Sequence, residues 1–217
     1  WARDKVMMGT ERRSMVMSEK EKRNTAYHEA GHALVAALLP KSDPIHKVTI
    51  VPRGRALGLT AFLPKHDNHS YDIDFLSNRI TIAMGGRAAE EIIFDEVTTG
   101  ASNDIQQATD TIRNMICNWG MSKSFGPIVL GNDNQQNVLG RNIGKSREFS
   151  ENTAADIDKE MRKTIKFHDA KAKKLLRDNI NVLHKIVEVL MKEETIEGSY
   201  ILELLRQNKS KVEPVGG

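Results

Sequence analysis

Only one cysteine, Cys117, occurs in the 217 residues. That excludes an intramolecular disulfide, removes any cysteine-built zinc site and fits a reducing compartment. Long apolar runs are missing as well. The longest near the N-terminal histidines, "ALVAALLP" (33–40), falls far short of the ~20 residues that a spanning helix needs. There is no excess of one charge: 32 Lys+Arg against 29 Asp+Glu give a net +3, and the two signs alternate. Nothing forms a basic stripe, so nucleic acid is not an expected partner. No internal repeat, low-complexity block or signal peptide is visible. The start, "WARDKVMMGTERRSMVMSEKEK", is charged and lacks an initiator Met, and it reads as the cut end of a longer protein.

What remains is an ordinary globular composition, 39% hydrophobic and 28% charged, enough to bury a real core. Ser18 to Glu21 matches a capping box, which predicts a helix opening near Ser18 and stopping before Pro40. "HKVTIVPR" (46–53) and "LGLTAFLP" (57–64) are β-rich runs around "GRA" and predict a short hairpin or two neighbouring strands. A polar loop, 65–72, leads to a second helix over roughly 72–94, with Ile73, Leu76, Ile80, Ala83 and Ala88 on one side. The "GG" at 85–86 is tolerable there only if something packs closely against it. After the turn-rich "DEVTTGASND" (95–104), Ile105, Ala108, Ile112, Met115, Ile116 and Trp119 recur at helical spacing. Residues 120–150 predict an irregular surface. Helical periodicity returns from about Thr153, runs through Ile157, Met161, Ile165, Leu175, Leu176, Ile180, Leu183, Val187 and Leu190, and ends in "SYILELLRQN". The expected fold is mainly α with a small β-sheet (α+β). Residues 18–150 form the core, 151–208 a C-terminal helical part, and 209–217 a disordered tail.

The chemistry lies in "YHEAGH" (27–32). Residues i and i+4 share one helix face, so His28 and His32 can aim their imidazoles at one atom. Zinc accepts imidazole nitrogen at about 2.0–2.1 Å in a tetrahedron, so two such nitrogens fill half its shell. A metal there acidifies water and polarises a carbonyl, while the adjacent Glu29 can take a proton from that water and hand it to a leaving amine. This is the reason H-E-x-x-H marks metalloproteases. The same residues also suit an ordinary polar helix face or satisfied core histidines. The alanine-rich surroundings favour chemistry, because a merely solvated face would carry more charge. A third ligand is required, and spacing leaves two places open: Glu90 and Glu91 in "GGRAAEEIIF", or Asp104 in "TTGASNDI". An Asp at a helix start also has a purely electrostatic explanation. His66 and His69 are a weaker option, read as solvated loop residues.

"MMGTERRSMVMSEKEKRNTAYHEAGHALVA", "GGRAAEEIIF", "TTGASNDIQQAT" and "ETIEG" closely resemble the proteolytic domain of the FtsH family of ATP-dependent membrane metalloproteases. The likeness covers nearly the whole chain, with the landmarks in the family's order. It implies that His28, His32 and Asp104 bind one Zn2+ per chain, that Glu29 is the general base, and that Glu90 and Glu91 are structural or supporting. It further implies a zincin-type active-site helix beside a small sheet. An edge strand, here best matched by Gly58, Leu59, Thr60, Ala61 and Phe62, would hold an extended peptide. The family's hexamer, its upstream ATPase that uses ATP, its transmembrane helices and its unfolded or membrane protein substrates are implied likewise. Residues 1–17 would then be the linker from the ATPase module. The domain would lie on the cytoplasmic side of a bacterial inner membrane or in an organellar counterpart, touching the membrane only through segments upstream. A proteolytically inactive hexameric scaffold is the alternative, though such relatives typically lose the glutamate or a histidine. Asp95 departs from the family in standing where many relatives carry glycine.

Overall fold

The computed structural model describes residues 17–54, 56–64, 70–130 and 149–212. His66, His69, the expected linker and most of the expected irregular surface lie outside the described residues. The first helix, α1 (Glu19–Leu38), begins with the reciprocal cap that its sequence announces: Ser18 Oγ accepts from the Glu21 N–H at 3.2 Å, and the Ser18 N–H donates to Glu21 Oε2 at 2.9 Å. It ends because Leu39, held extended at φ −95° and ψ 130°, precedes Pro40, whose ring disfavours a helical predecessor. From Thr25 to Ala36 α1 is buried on most sides, with Ala26, Ala30 and Ala33 fully so. A central helix of this kind needs small side chains wherever neighbours press on it.

The closest neighbour is α2 (Ile73–Phe94), capped by Asp72 Oδ1 accepting from the Phe75 N–H at 2.7 Å. The two helices cross where Gly31 meets Gly85. A Cβ on Gly31 would lie 2.8 Å from the Ala89 Cβ, and one on Gly85 would lie 2.7 Å from the Gly31 carbonyl oxygen. Neither contact is possible for a side chain, so the glycines that weaken both helices are what let the backbones touch. Ile73, expected on the apolar side, sits at the exposed first turn instead.

Past α2 the chain turns through Asp95 in the left-handed conformation (φ 53°) and a 3-10 turn, Thr99–Ala101, into α3 (Ser102–Cys117). Ala108, Ile112 and Ile116 of α3 are buried, whereas Trp119 lies beyond the helix end and is half exposed. The C-terminal periodicity resolves into two helices, α4 (Glu151–Asp178) and α5 (Ile180–Glu193), broken at Asn179, whose side-chain amide donates to the Leu175 carbonyl at 3.0 Å. The last helix, α6 (Gly198–Val212), continues past Asn208.

The sheet has three antiparallel strands in the order β2-β1-β3. β1 (Ile45–Thr49) is shorter than the run at 46–53, and β2 (Leu59–Phe62) pairs with it, Thr49 opposite Leu59 and Val48 opposite Thr60. β3 (Thr195–Glu197), a strand not expected from the sequence, pairs with the other side of β1. Among the described residues β2 is therefore an edge strand. The core runs through the whole fold, joining Leu34 of α1, Ile80 of α2, Leu176 of α4, Leu183 and Leu190 of α5 and Ile201 of α6. Each such side chain contributes about 1.5–3 kcal/mol through its burial. No described helix is long and apolar enough to cross a membrane.

Candidate metal centre and active site

One helical turn of α1 presents His28 and His32 on the face toward α2 and the start of α3, and two neighbours fix the rings. His32 Nδ1 donates to the Ile82 carbonyl of α2 at 2.7 Å, and His28 Nδ1 meets Glu90 Oε1 at 2.6 Å. With both Nδ1 atoms so engaged, both Nε2 atoms are turned inward. They lie 3.0 Å apart, and Asp104 Oδ2 lies 3.1 Å from the first and 3.4 Å from the second. Ligand atoms on a zinc tetrahedron with bonds of ~2.0–2.1 Å stand about 3.3 Å apart, so three corners of such a tetrahedron are already in place. Gly86 supplies the room: a Cβ there would lie 2.6 Å from His28 Nε2 and from His32 Nε2. His28, His32 and Asp104 thus fit a divalent metal, in spacing and in donor chemistry.

The electrostatics suit a cationic occupant. Burial is the largest single influence on His28 and opposes its charge. Hydrogen bonds to Asp104 and Glu90, with the nearby charges of Glu29 and Asp104, outweigh it and raise the ring to about 10. Burial also pushes Asp104 and Glu90 up, yet their imidazole partners hold both carboxyls below the usual range. Three carboxyl groups surround two imidazoles, so the pocket attracts positive charge, whether a proton or a metal ion.

Glu29 is 7% exposed, and burial raises its carboxyl above the ordinary value despite the opposing pull of His32, His28 and Thr60. Thr60 of β2 donates its hydroxyl to Glu29 Oε2 at 2.8 Å. Glu29 stands beside the imidazole pair rather than among the converging atoms.

The acidic residues left open by spacing are separated by geometry. Asp104 converges on the imidazole Nε2 atoms from the first turn of α3. Glu90, 3% exposed, sits behind His28, its second oxygen taking the Thr98 hydroxyl at 2.9 Å and the Thr98 N–H at 3.3 Å. Glu91 faces α4 and takes the Lys173 ammonium at 2.8 Å. Of the edge-strand candidates, Leu59 and Phe62 are half-buried, Ala61 is buried, and Gly58 and Thr60 face Glu29. Sequence reasoning missed the Ile82 carbonyl, Thr98 and the contact of Thr60 with Glu29, because no spacing rule connects them to the histidines.

An H-E-x-x-H helix whose imidazoles meet a distant carboxylate over a buried glutamate defines the site as that of a metallopeptidase. The chain belongs to peptidase family M41, whose profile matches residues 15–204, and it is a metalloendopeptidase domain. It is 50% identical over 204 residues to the "ATP-dependent zinc metalloprotease FtsH" of Magnetococcus marinus, covering 94% of this chain and 30% of that protein. Proteins of the same name from Myxococcus xanthus (48% identity; 94% of this chain, 32% of the relative) and Photobacterium profundum (45%; 99% and 31%) are similar. The chain spans about a third of the length of these curated relatives.

Proposed function

We propose that the chain is the zinc-dependent endopeptidase part of a longer ATP-dependent, membrane-anchored protease. The observation that carries this is the convergence of His28 Nε2, His32 Nε2 and Asp104 Oδ2 within hydrogen-bonding distance of one another beside a buried Glu29. His28, His32 and Asp104 hold one Zn2+, and Glu90 and the Ile82 carbonyl keep the two rings turned so that Nε2 is the free nitrogen. When bound, zinc supplies Lewis-acid polarisation of the scissile carbonyl and acidification of water. Glu29 accepts a proton from the attacking water and delivers it to the departing amine nitrogen, so water adds across the C–N bond. Thr60 keeps one carboxylate oxygen occupied, leaving the other for the proton. The open edge of β2 receives the polypeptide as an added strand, a mode that gives backbone hydrogen bonds to unrelated sequences and suits unfolded or membrane proteins.

The names of the relatives support ATP use by a module outside this chain. The family resemblance supports a hexamer, anchored by segments outside the described residues with this domain on the cytoplasmic side. Replacing Glu29 with Gln tests the mechanism. The variant should keep its zinc and its melting temperature yet lose hydrolysis of an unstructured casein-like peptide by a factor of at least about 100. Turnover at the unmutated rate contradicts the assignment of Glu29 as base.

A further inference from the structure

Glu29 has three rotatable side-chain bonds, and its position on α1, one residue past His28, does not by itself aim its carboxylate. Two residues of the neighbouring strand segment do. The Thr60 hydroxyl lies 2.8 Å from Glu29 Oε2 and 3.1 Å from the Glu29 backbone carbonyl, so one hydroxyl spans both ends of the same residue. Two positions earlier, on the same face of the extended chain, a Cβ on Gly58 would lie 2.7 Å from Glu29 Cγ and 2.9 Å from Oε1. Gly58 thus leaves the space that the carboxylate fills, and Thr60 fixes it there. Both belong to the segment that ends in the edge strand of the sheet.

We infer that Thr60 is a positioning residue for Glu29, and that the pair Gly58 and Thr60 ties the orientation of the base to the strand that receives the peptide. This rests on the reading of Glu29 as general base. Gly58 and Thr60 then act on the base through the inner face of the strand, while the open edge of β2 remains for backbone pairing with substrate. A peptide added to that edge holds β2, and β2 holds the carboxylate, so binding and base alignment are linked through one hydroxyl. Thr60 makes no hydrogen bond to His28, His32 or Asp104, so removing its hydroxyl leaves the hydrogen bonds of those three residues in place.

The test compares Thr60→Val, which keeps the shape and removes the hydroxyl, with Thr60→Ser, which keeps the hydroxyl, in the zinc-loaded protein. With an unstructured fluorogenic peptide, Thr60→Val should lower kcat about ten- to hundredfold and move KM by less than about twofold. Thr60→Ser should restore most of the loss. Zinc affinity by chelator competition should stay within about twofold in both. A readout independent of turnover is the carboxyl 13C resonance of Glu29 in the metal-free protein, assigned by its loss in Glu29→Gln. It should shift or broaden in Thr60→Val and return in Thr60→Ser. If Glu29→Gln is inactive while Thr60→Val keeps kcat within about twofold, the inference about Thr60 alone is overturned. If Glu29→Gln turns over normally, the base reading falls and takes this inference with it. Should Thr60→Val fail to fold, Thr60→Ala replaces it, and a Thr60→Ser no better than Thr60→Ala overturns the role of the hydroxyl.

Discussion

Glu90 closes a 2.6 Å hydrogen bond on Nδ1 of His28 from the opposite side of the ring to Asp104. The two carboxylates thus meet one imidazole at different nitrogens, Glu90 at Nδ1 and Asp104 at Nε2. Carboxylates that support a ligating histidine typically matter ten- to hundredfold for metal affinity. Glu90→Gln should therefore weaken zinc binding by about that factor. Glu91→Gln, which breaks an ion pair with Lys173 on the far side of α2, should leave zinc binding within about twofold. Competition titration of both variants against a chelator checks the order.

The turn after α2 carries a separate expectation. Asp95 occupies the left-handed region at φ 53° as the cap residue of that helix, its N–H donating to the Glu91 carbonyl at 3.2 Å. Glycine adopts this conformation without the Cβ penalty and is the usual residue there. Asp95→Gly should stabilise the domain by up to about 1 kcal/mol, measured by urea unfolding. A loss of stability would mean that the Asp95 side chain contributes more than its backbone costs.

His168 predicts a pH effect far from the metal site. It is buried on α4, with Nδ1 2.8 Å from the Thr81 hydroxyl of α2. Burial, aided by the charge of Lys171, lowers the ring from 6.5 to about 4. Well above pH 6.5 the ring is neutral whether the chain is folded or unfolded, and the full stability is present. As pH falls from 6.5 toward 4, the unfolded chain binds a proton that the folded one refuses, so stability declines through that window. His168→Gln should flatten the decline by an amount on the order of 2–3 kcal/mol, read as the difference between the two stability-versus-pH curves.

How much of this was legible in the sequence follows from how local each cause is. The start of α1 at Ser18 and its stop before Pro40 depend on neighbours within one turn, and both are readable. The paired faces of His28 and His32 follow from helical spacing, and the close approach at Gly85 follows from the cost of glycine in a helix. The break at Asn179 was hidden because the apolar rhythm of α4 continues into α5 across it. β3 is three residues long and owes its existence to a partner nearly 150 positions earlier, so no local pattern marks it. Spacing left Glu90, Glu91 and Asp104 open because the answer depends on how α2 crosses α1 and on the 3-10 turn that delivers Asp104. Thr60 and Thr98 were unreadable as partners of Glu29 and Glu90 for the same nonlocal reason.

Diffraction data collected on either side of the zinc absorption edge, from crystals grown with Zn2+, test the central claim most directly. One anomalous peak per chain is expected, within about 2.0–2.2 Å of His28 Nε2, His32 Nε2 and an Asp104 oxygen, with Glu29 close by but outside the ligand set. A peak bound by Glu90 in place of Asp104, or no peak among these three side chains with zinc in excess, would contradict it.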